Sequence, residues 1–299
     1  MNKSNCKAAL PFSLTVTLTI VLYAVFSSAS GIIHNIDPVM LQFKIPGIEI
    51  SFRYYGLVYL LGFLALYGTL ALKRTRGELL PGPDQVEIFV FLGFLSIIVG
   101  ARLFEVLFYD IHRYLQQPVN ILKIWEGGLS FHGALAGMAL TAWLYSRKKK
   151  IHSLDLTDAL SLPAAFFLSL GRGANFINGE LYGIITDLPW GVKFRGVDGF
   201  RHPTQIYEAL KNLYLFSGLY WFSSKKPPRG TLTFLFLSGY GLLRFLLEFL
   251  KNYNQYGYRT LETPALNMAQ LLCLLMCIAG ISGLLMSHRK KYEEPLQNT

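Results

Sequence analysis

An ionisable side chain inside an apolar stretch is costly to bury, so it faces a partner or a wet cavity and marks a candidate site. In this chain Arg102 and Glu105, Arg172, Glu208, Arg244 and Glu248 stand in such stretches. Arginine offers a planar fork of donors that matches phosphate oxygens, which makes Arg102, Arg172 and Arg244 candidates for holding a phosphorylated ligand. Arg102 with Glu105 at i,i+3 and Arg244 with Glu248 at i,i+4 also have the spacing of plain helix-surface ion pairs, and spacing alone leaves both readings open. His132 lies in Gly127-Gly128-Leu129-Ser130-Phe131-His132-Gly133, just ahead of an apolar run. With an unperturbed pKa of about 6.5, imidazole suits a step that moves a proton at neutral pH; it equally suits a hydrogen-bonded interfacial residue.

The densest polar segment is Gly171-Arg172-Gly173-Ala174-Asn175-Phe176-Ile177-Asn178-Gly179-Glu180-Leu181-Tyr182-Gly183. Glycine permits tight turns and close backbone approach to a ligand, and irregular backbone at membrane depth persists only inside protein or beside a wet cavity. The segment therefore reads as an irregular loop. His202, just before Pro203, reads as a structural start to the helix that carries Glu208. The three cysteines have no metal or CxxC spacing, and Cys273 and Cys277 read as small apolar residues of the last helix. No metal or cofactor is expected.

Positioning these residues falls to membrane helices. The chain is 52% hydrophobic and only 15% charged, below the roughly 25% charge usual for soluble domains. Apolar runs lie near 9–27, 54–72, 86–108, 131–146, 156–172, 205–223, 231–250 and 265–287. A span takes about 20 apolar residues, and the runs lack the alternation of barrel strands. The expected fold is an all-α polytopic transmembrane bundle of seven core spans plus an extra N-terminal hydrophobic segment, divided as 1–36, 37–288 and a disordered basic tail over 289–299. The basic clusters Lys73-Arg74-Arg76, Arg147-Lys148-Lys149-Lys150, Lys225-Lys226-Arg229 and Arg289-Lys290-Lys291 recur after every second span, which puts them and the C-terminus in the cytoplasm. The net charge of +10 is then topology and attraction to anionic headgroups, with no nucleic-acid module in view. In this orientation the ionisable residues, together with Tyr55, His132, Asn267 and Gln270, converge on the outer leaflet and imply a polar chamber there. Residues 1–30 fit a signal peptide or an uncleaved span, and the length of the apolar run favours the span.

The stretch GRGANFINGELYG from Gly171 to Gly183 resembles the signature of the prolipoprotein diacylglyceryl transferase family. Asp37-Pro38-Val39 with Arg53-Tyr54-Tyr55-Gly56-Leu57, the segment around His132, Arg201-His202-Pro203-Thr204-Gln205-Ile206-Tyr207-Glu208 and Gly239-Tyr240-Gly241-Leu242-Leu243-Arg244-Phe245 agree in order and spacing. The resemblance covers about 37–287. It implies transfer of the diacylglyceryl group of phosphatidylglycerol to the lipobox cysteine of a prolipoprotein signal peptide, giving a thioether and glycerol phosphate. It also implies functional positions at Tyr55, His132, Arg172, Asn175, Gly183, Tyr240 and Arg244, with Asn178 and Glu180 matching the signature. The sequence departs from the family pattern in its N-terminal extension, in Lys251 where arginine is common, in Ala269 where glycine precedes Gln270, and in a short outer loop over 184–201. None of these falls on the implied centre.

The chemistry agrees with the residues. A thiol must become thiolate before it attacks a glycerol carbon, and the leaving group is a phosphate anion. Arg172 and Arg244 would bind that phosphate, and either His132 or the arginine field would favour the thiolate. The rival readings are a non-catalytic phospholipid-binding protein or transporter, where repeats and midplane sites are common, and another membrane transferase or an intramembrane hydrolase, of which a serine hydrolase would need a nucleophile elbow or a helix-embedded serine with a histidine partner. The sequence displays none of these features.

Overall fold

The structure is a computed structural model that describes residues 3–28, 31–45, 48–79, 82–124, 128–252 and 266–293 of the chain. The elements run α1 (Lys3–Ser28), β1 (Ile32–Ile33), β2 (Val39–Ile45), β3 (Ile48–Arg53), α2 (Tyr54–Thr75), α3 (Pro83–Phe108) and α4 (Ile111–Gln116). After a 3-10 turn (Pro118–Leu122) come α5 (Phe131–Lys149), α6 (Ser153–Ile177), β4 (Val192–Lys193), α7 (Thr204–Ser223), α8 (Thr231–Glu248) and α9 (Met268–Glu293). Each apolar run carries a long helix. Among the described residues five are long and apolar enough to cross a membrane: Gly56–Thr75, Asp84–Phe108, Ser153–Ile177, Thr231–Glu248 and Met268–Ser287. The chain is thus a polytopic helical membrane protein.

Three details differ from expectation. Among the described residues four short strands accompany the helices: β2 pairs antiparallel with β3, and β1 pairs parallel with β4. Their pattern was eclipsed by the longer apolar runs, although β2 and β3 are rich in the alternating branched and aromatic residues that suit a half-buried strand. Secondly, α6 continues to Ile177, so Gly171, Arg172 and Gly173 are helical rather than looped. A Cβ on either glycine would meet nothing within 4 Å, so neither serves a close approach there. Thirdly, residues 289–293 of the tail continue α9, while 294–299 lie outside the described residues.

The chain divides into two compact units, Met1–Leu64 with Ser161–Thr299, and Ala65–Leu160. In the second unit α3 and α5 cross through glycine. A Cβ on Gly133 would lie 2.3 Å from the Gly100 carbonyl oxygen, and one on Gly137 would lie 2.3 Å from that of Ser96. Lipid gives helices no hydrophobic reason to associate, so close backbone packing through small residues supplies the attraction. In the first unit α8 and α9 meet in the same way, Gly241 against the backbone of Cys273 and Cys277, and Gly280 against that of Ser238. The two cysteines act as small packing residues, as expected. Asn267 and Gln270 cap α9 reciprocally: the Gln270 amide donates to Asn267 Oδ1 (2.8 Å) and the Asn267 amide to Gln270 Oε1 (3.0 Å).

Helix α7 is inverted relative to a soluble helix. Its buried residues are Thr204, Gln205, Glu208, Lys211, Asn212, Ser217 and Leu219, while Tyr220, Trp221 and Phe222 are exposed. A polar stripe directed inward and an aromatic surface directed outward suit a helix with lipid on one side and a polar interior on the other.

Candidate active site

The signature segment ends α6 in a Schellman motif. The Glu180 amide donates to the Asn175 carbonyl (3.1 Å) and the Gly179 amide to that of Phe176 (2.9 Å), with Gly179 at φ +68°. That left-handed position is the reason for glycine. The turn brings side chains together. Asn175 Nδ2 (2.8 Å) and Asn178 Nδ2 (3.2 Å) both donate to Glu180 Oε1, and Arg172 Nη1 donates to Asn175 Oδ1 (3.3 Å). Gln205 of α7 clasps the turn through the Glu180 carbonyl (2.5 Å).

Glu208 is the hub. Its side chain is 1% exposed, with Arg172 Nε 2.5 Å from Oε2 and Arg244 Nη1 2.8 Å from Oε1. Lys251 Nζ is 2.6 Å from Oε1, and Arg244 also pairs with Glu248. A carboxylate removed from water costs several kcal/mol unless charge and hydrogen bonds replace its hydration, and here three cations surround it. Arg244 is therefore no surface ion pair. Lys211, one turn along from Glu208, holds its Nζ 3.8 Å from the centre of the buried Tyr240 ring.

Gly183 positions Lys251 through the backbone. The Ile184 amide donates to the Leu250 carbonyl (3.0 Å), and Gly183 and Lys251 form an antiparallel bridge. A Cβ on Gly183 would lie 2.4 Å from the Leu250 oxygen. Val192 and Phe194 of the short 184–201 loop pack with Tyr182 in a small core. His202 proves structural, its Nδ1 3.2 Å from Tyr207 Oη, and burial lowers its pKa.

In the second unit the Arg102 guanidinium is occupied by backbone. Nε donates to the Ile121 carbonyl (3.0 Å), Nη1 to that of Gly128 (2.9 Å), and Nη2 to those of Asn120 (2.5 Å) and Lys123 (3.0 Å). Arg102 thereby anchors the segment that leads into α5. Ser130 caps α5 through a long bond from the Gly133 amide (3.5 Å). His132 follows in the first turn, half-buried, with its ring beside those of Phe104 and Phe131. Tyr55 lies in the first turn of α2, and its side chain, like Gly127, lies outside the described residues.

Residues 39–286 match the family model described as prolipoprotein diacylglyceryl transferase. The chain belongs to the prolipoprotein diacylglyceryl transferase family. It is similar to proteins named phosphatidylglycerol--prolipoprotein diacylglyceryl transferase. That of Geobacter sulfurreducens is 40% identical over 260 residues, covering 86% of this chain and 97% of the relative. That of Methylococcus capsulatus is 41% identical over 251 residues, covering 82% and 93%. That of Bordetella avium is 38% identical over 264 residues, covering 87% and 97%. As a member of this family the chain is a transferase.

Of the candidates in this transferase, Arg172, Asn175, Asn178, Glu180, Gly183, Tyr240 and Arg244 fall in the first unit, around or next to Glu208. Arg102 and His132 belong to the second. Sequence reasoning paired Glu248 with Arg244, as the structure does, but gave Glu208 no partner. It set Lys251 aside as a departure from the family pattern, yet Lys251 touches the hub. Lys211 it passed over, although a lysine one turn from an intramembrane glutamate is a legible signal.

Proposed function

We propose that this chain transfers the diacylglyceryl group of phosphatidylglycerol to the thiol of the lipobox cysteine of bacterial prolipoproteins. The thiolate sulfur bonds to the glycerol carbon, the bond from that carbon to the phosphate oxygen breaks, and its electron pair leaves on glycerol phosphate. Two arginines on one buried carboxylate carry this reading. Glu208 orients Arg172 and Arg244, whose remaining donors can meet phosphate oxygens as charge grows on the leaving oxygen. Asn175, Asn178, Glu180 and Gly183 hold that arrangement and Tyr240 borders it; the thiolate is favoured either by His132 as proton acceptor, a role its imidazole chemistry suits, or by the arginine field itself. Tyr55 keeps its assignment through motif match.

The chain sits in the bacterial plasma membrane as seven core spans and a retained N-terminal helix, with the C-terminus in the cytoplasm and the site toward the outer leaflet. The one-sided basic loops support this orientation. Hydrogen bonds between Thr15 and Ser217 and between Thr19 and Tyr214 support a retained α1. The test is to supply purified protein with phosphatidylglycerol and a lipobox peptide and to look for the diacylglyceryl adduct by mass spectrometry. Lipid binding without an adduct would favour a phospholipid-binding protein instead.

A further inference from the structure

Lys211 is 7% exposed, and its Nζ is fully enclosed with no hydrogen-bond partner among the described residues. An ammonium has three donors and is strongly hydrated in water, so enclosing it without acceptors is expensive. The π-face of Tyr240 at 3.8 Å offsets part of that cost. Gln205 Oε1 and Asn212 Oδ1, on the same inward stripe of α7, are likewise buried without partners. Around Glu208 stand the cations Arg172, Arg244, Lys251 and Lys211 with the carboxylates Glu208 and Glu248, and among these cations only Lys211 makes no ion pair with either carboxylate among the described residues.

We infer that Lys211 is a further phosphate-binding residue of this site and meets the charge that grows on the departing glycerol phosphate. The inference rests on the transfer reaction proposed above. Before transfer a thiolate and a phosphodiester carry one negative charge each. When the sulfur–carbon bond forms and the carbon–oxygen bond breaks, the sulfur becomes neutral and the phosphate a monoester, whose second pKa of about 6 makes it a dianion at neutral pH. Negative charge therefore moves from sulfur to phosphate. The ammonium of Lys211, which has no acceptor in the free site, gains acceptors as the new charge develops on the phosphate. An interaction strengthened along the reaction appears in kcat rather than in KM.

The experiment compares wild type with Lys211→Met, which keeps length and volume, and Lys211→Arg, which keeps charge. Wild-type adduct formation tests the transfer reading by itself. Binding of glycerol phosphate, read as thermal stabilisation of the detergent-purified protein, needs no turnover and tests Lys211 separately. Lys211→Met should lower kcat on the order of 100-fold, with little change in KM for phosphatidylglycerol, and should blunt the stabilisation by glycerol phosphate. Lys211→Arg should recover much of both. Wild-type kcat and ligand stabilisation in Lys211→Met would overturn the inference. So would a Lys211→Met protein that loses only thermal stability while glycerol phosphate still binds as in wild type, since Lys211 would then serve only the packing of Tyr240.

Discussion

Lys251 reaches back from beyond the end of α8 to place its Nζ 2.6 Å from Oε1 of Glu208 on α7. Burial, and then repulsion from Arg244, push the Lys251 ammonium down to about 7 against the pull of Glu208. Arg172 and Glu248 also face it, the first opposing its charge and the second favouring it. Lysine is then a cation below pH 7 and neutral above, whereas arginine stays charged throughout. Lys251→Arg should match wild type in kcat/KM at pH 6 and exceed it increasingly as pH rises through 7, because kcat/KM reports ionisation of the free enzyme. A ratio that stays flat from pH 6 to pH 9 would remove Lys251 from the charge balance of the site.

Glu208→Gln deletes the carboxylate that holds Arg172, Arg244 and Lys251 together. Breaking a buried ion pair from one side costs about 3–5 kcal/mol, because the cations remain enclosed and uncompensated. The expected outcome is a clearly lower midpoint of thermal unfolding in detergent, together with lost transfer. Retention of the wild-type midpoint would mean that solvent, rather than Glu208, compensates the arginines.

Arg172 uses one guanidinium nitrogen on Glu208 and another on Asn175. A lysine keeps the charge but cannot bridge two partners in a plane. Arg172→Lys should lose roughly 10- to 100-fold in kcat/KM, the worth of one charged hydrogen bond. Asn175→Ala should fall in the same direction, since Asn175 links Arg172 to Glu180. Wild-type turnover of Arg172→Lys at equal expression would refute the bidentate role.

His132 and Arg244 should separate kinetically. If His132 accepts the thiol proton, His132→Gln keeps phosphatidylglycerol binding and slows transfer by about 100- to 10,000-fold. That deficit should shrink as pH rises past the pKa of the acceptor thiol. Arg244→Ala should weaken lipid binding and transfer together, because the phosphate is charged in the ground state and more so in the transition state. A His132→Gln enzyme that loses lipid binding and keeps the wild-type pH profile would make the histidine a substrate-positioning group and leave thiolate formation to the arginines.

The sequence by itself determined the long helices, the recurring basic clusters and the motif residues. A run of apolar side chains answers to lipid locally, and a motif such as that ending at Gly183 is read position by position. It also contained the reason for Gly179, since a left-handed turn after a helix follows from local backbone sterics. Only the tertiary structure decided that Glu208 is the hub, that the unusual Lys251 belongs to it, that α7 turns its polar stripe inward, and that Arg102 anchors backbone carbonyls. Pairing among buried charges depends on which helix faces meet and on where a loop returns. Residues such as Glu208 and Lys251 carry no local signal of their partnership, because the energy that joins them exists only once water has been removed from between them.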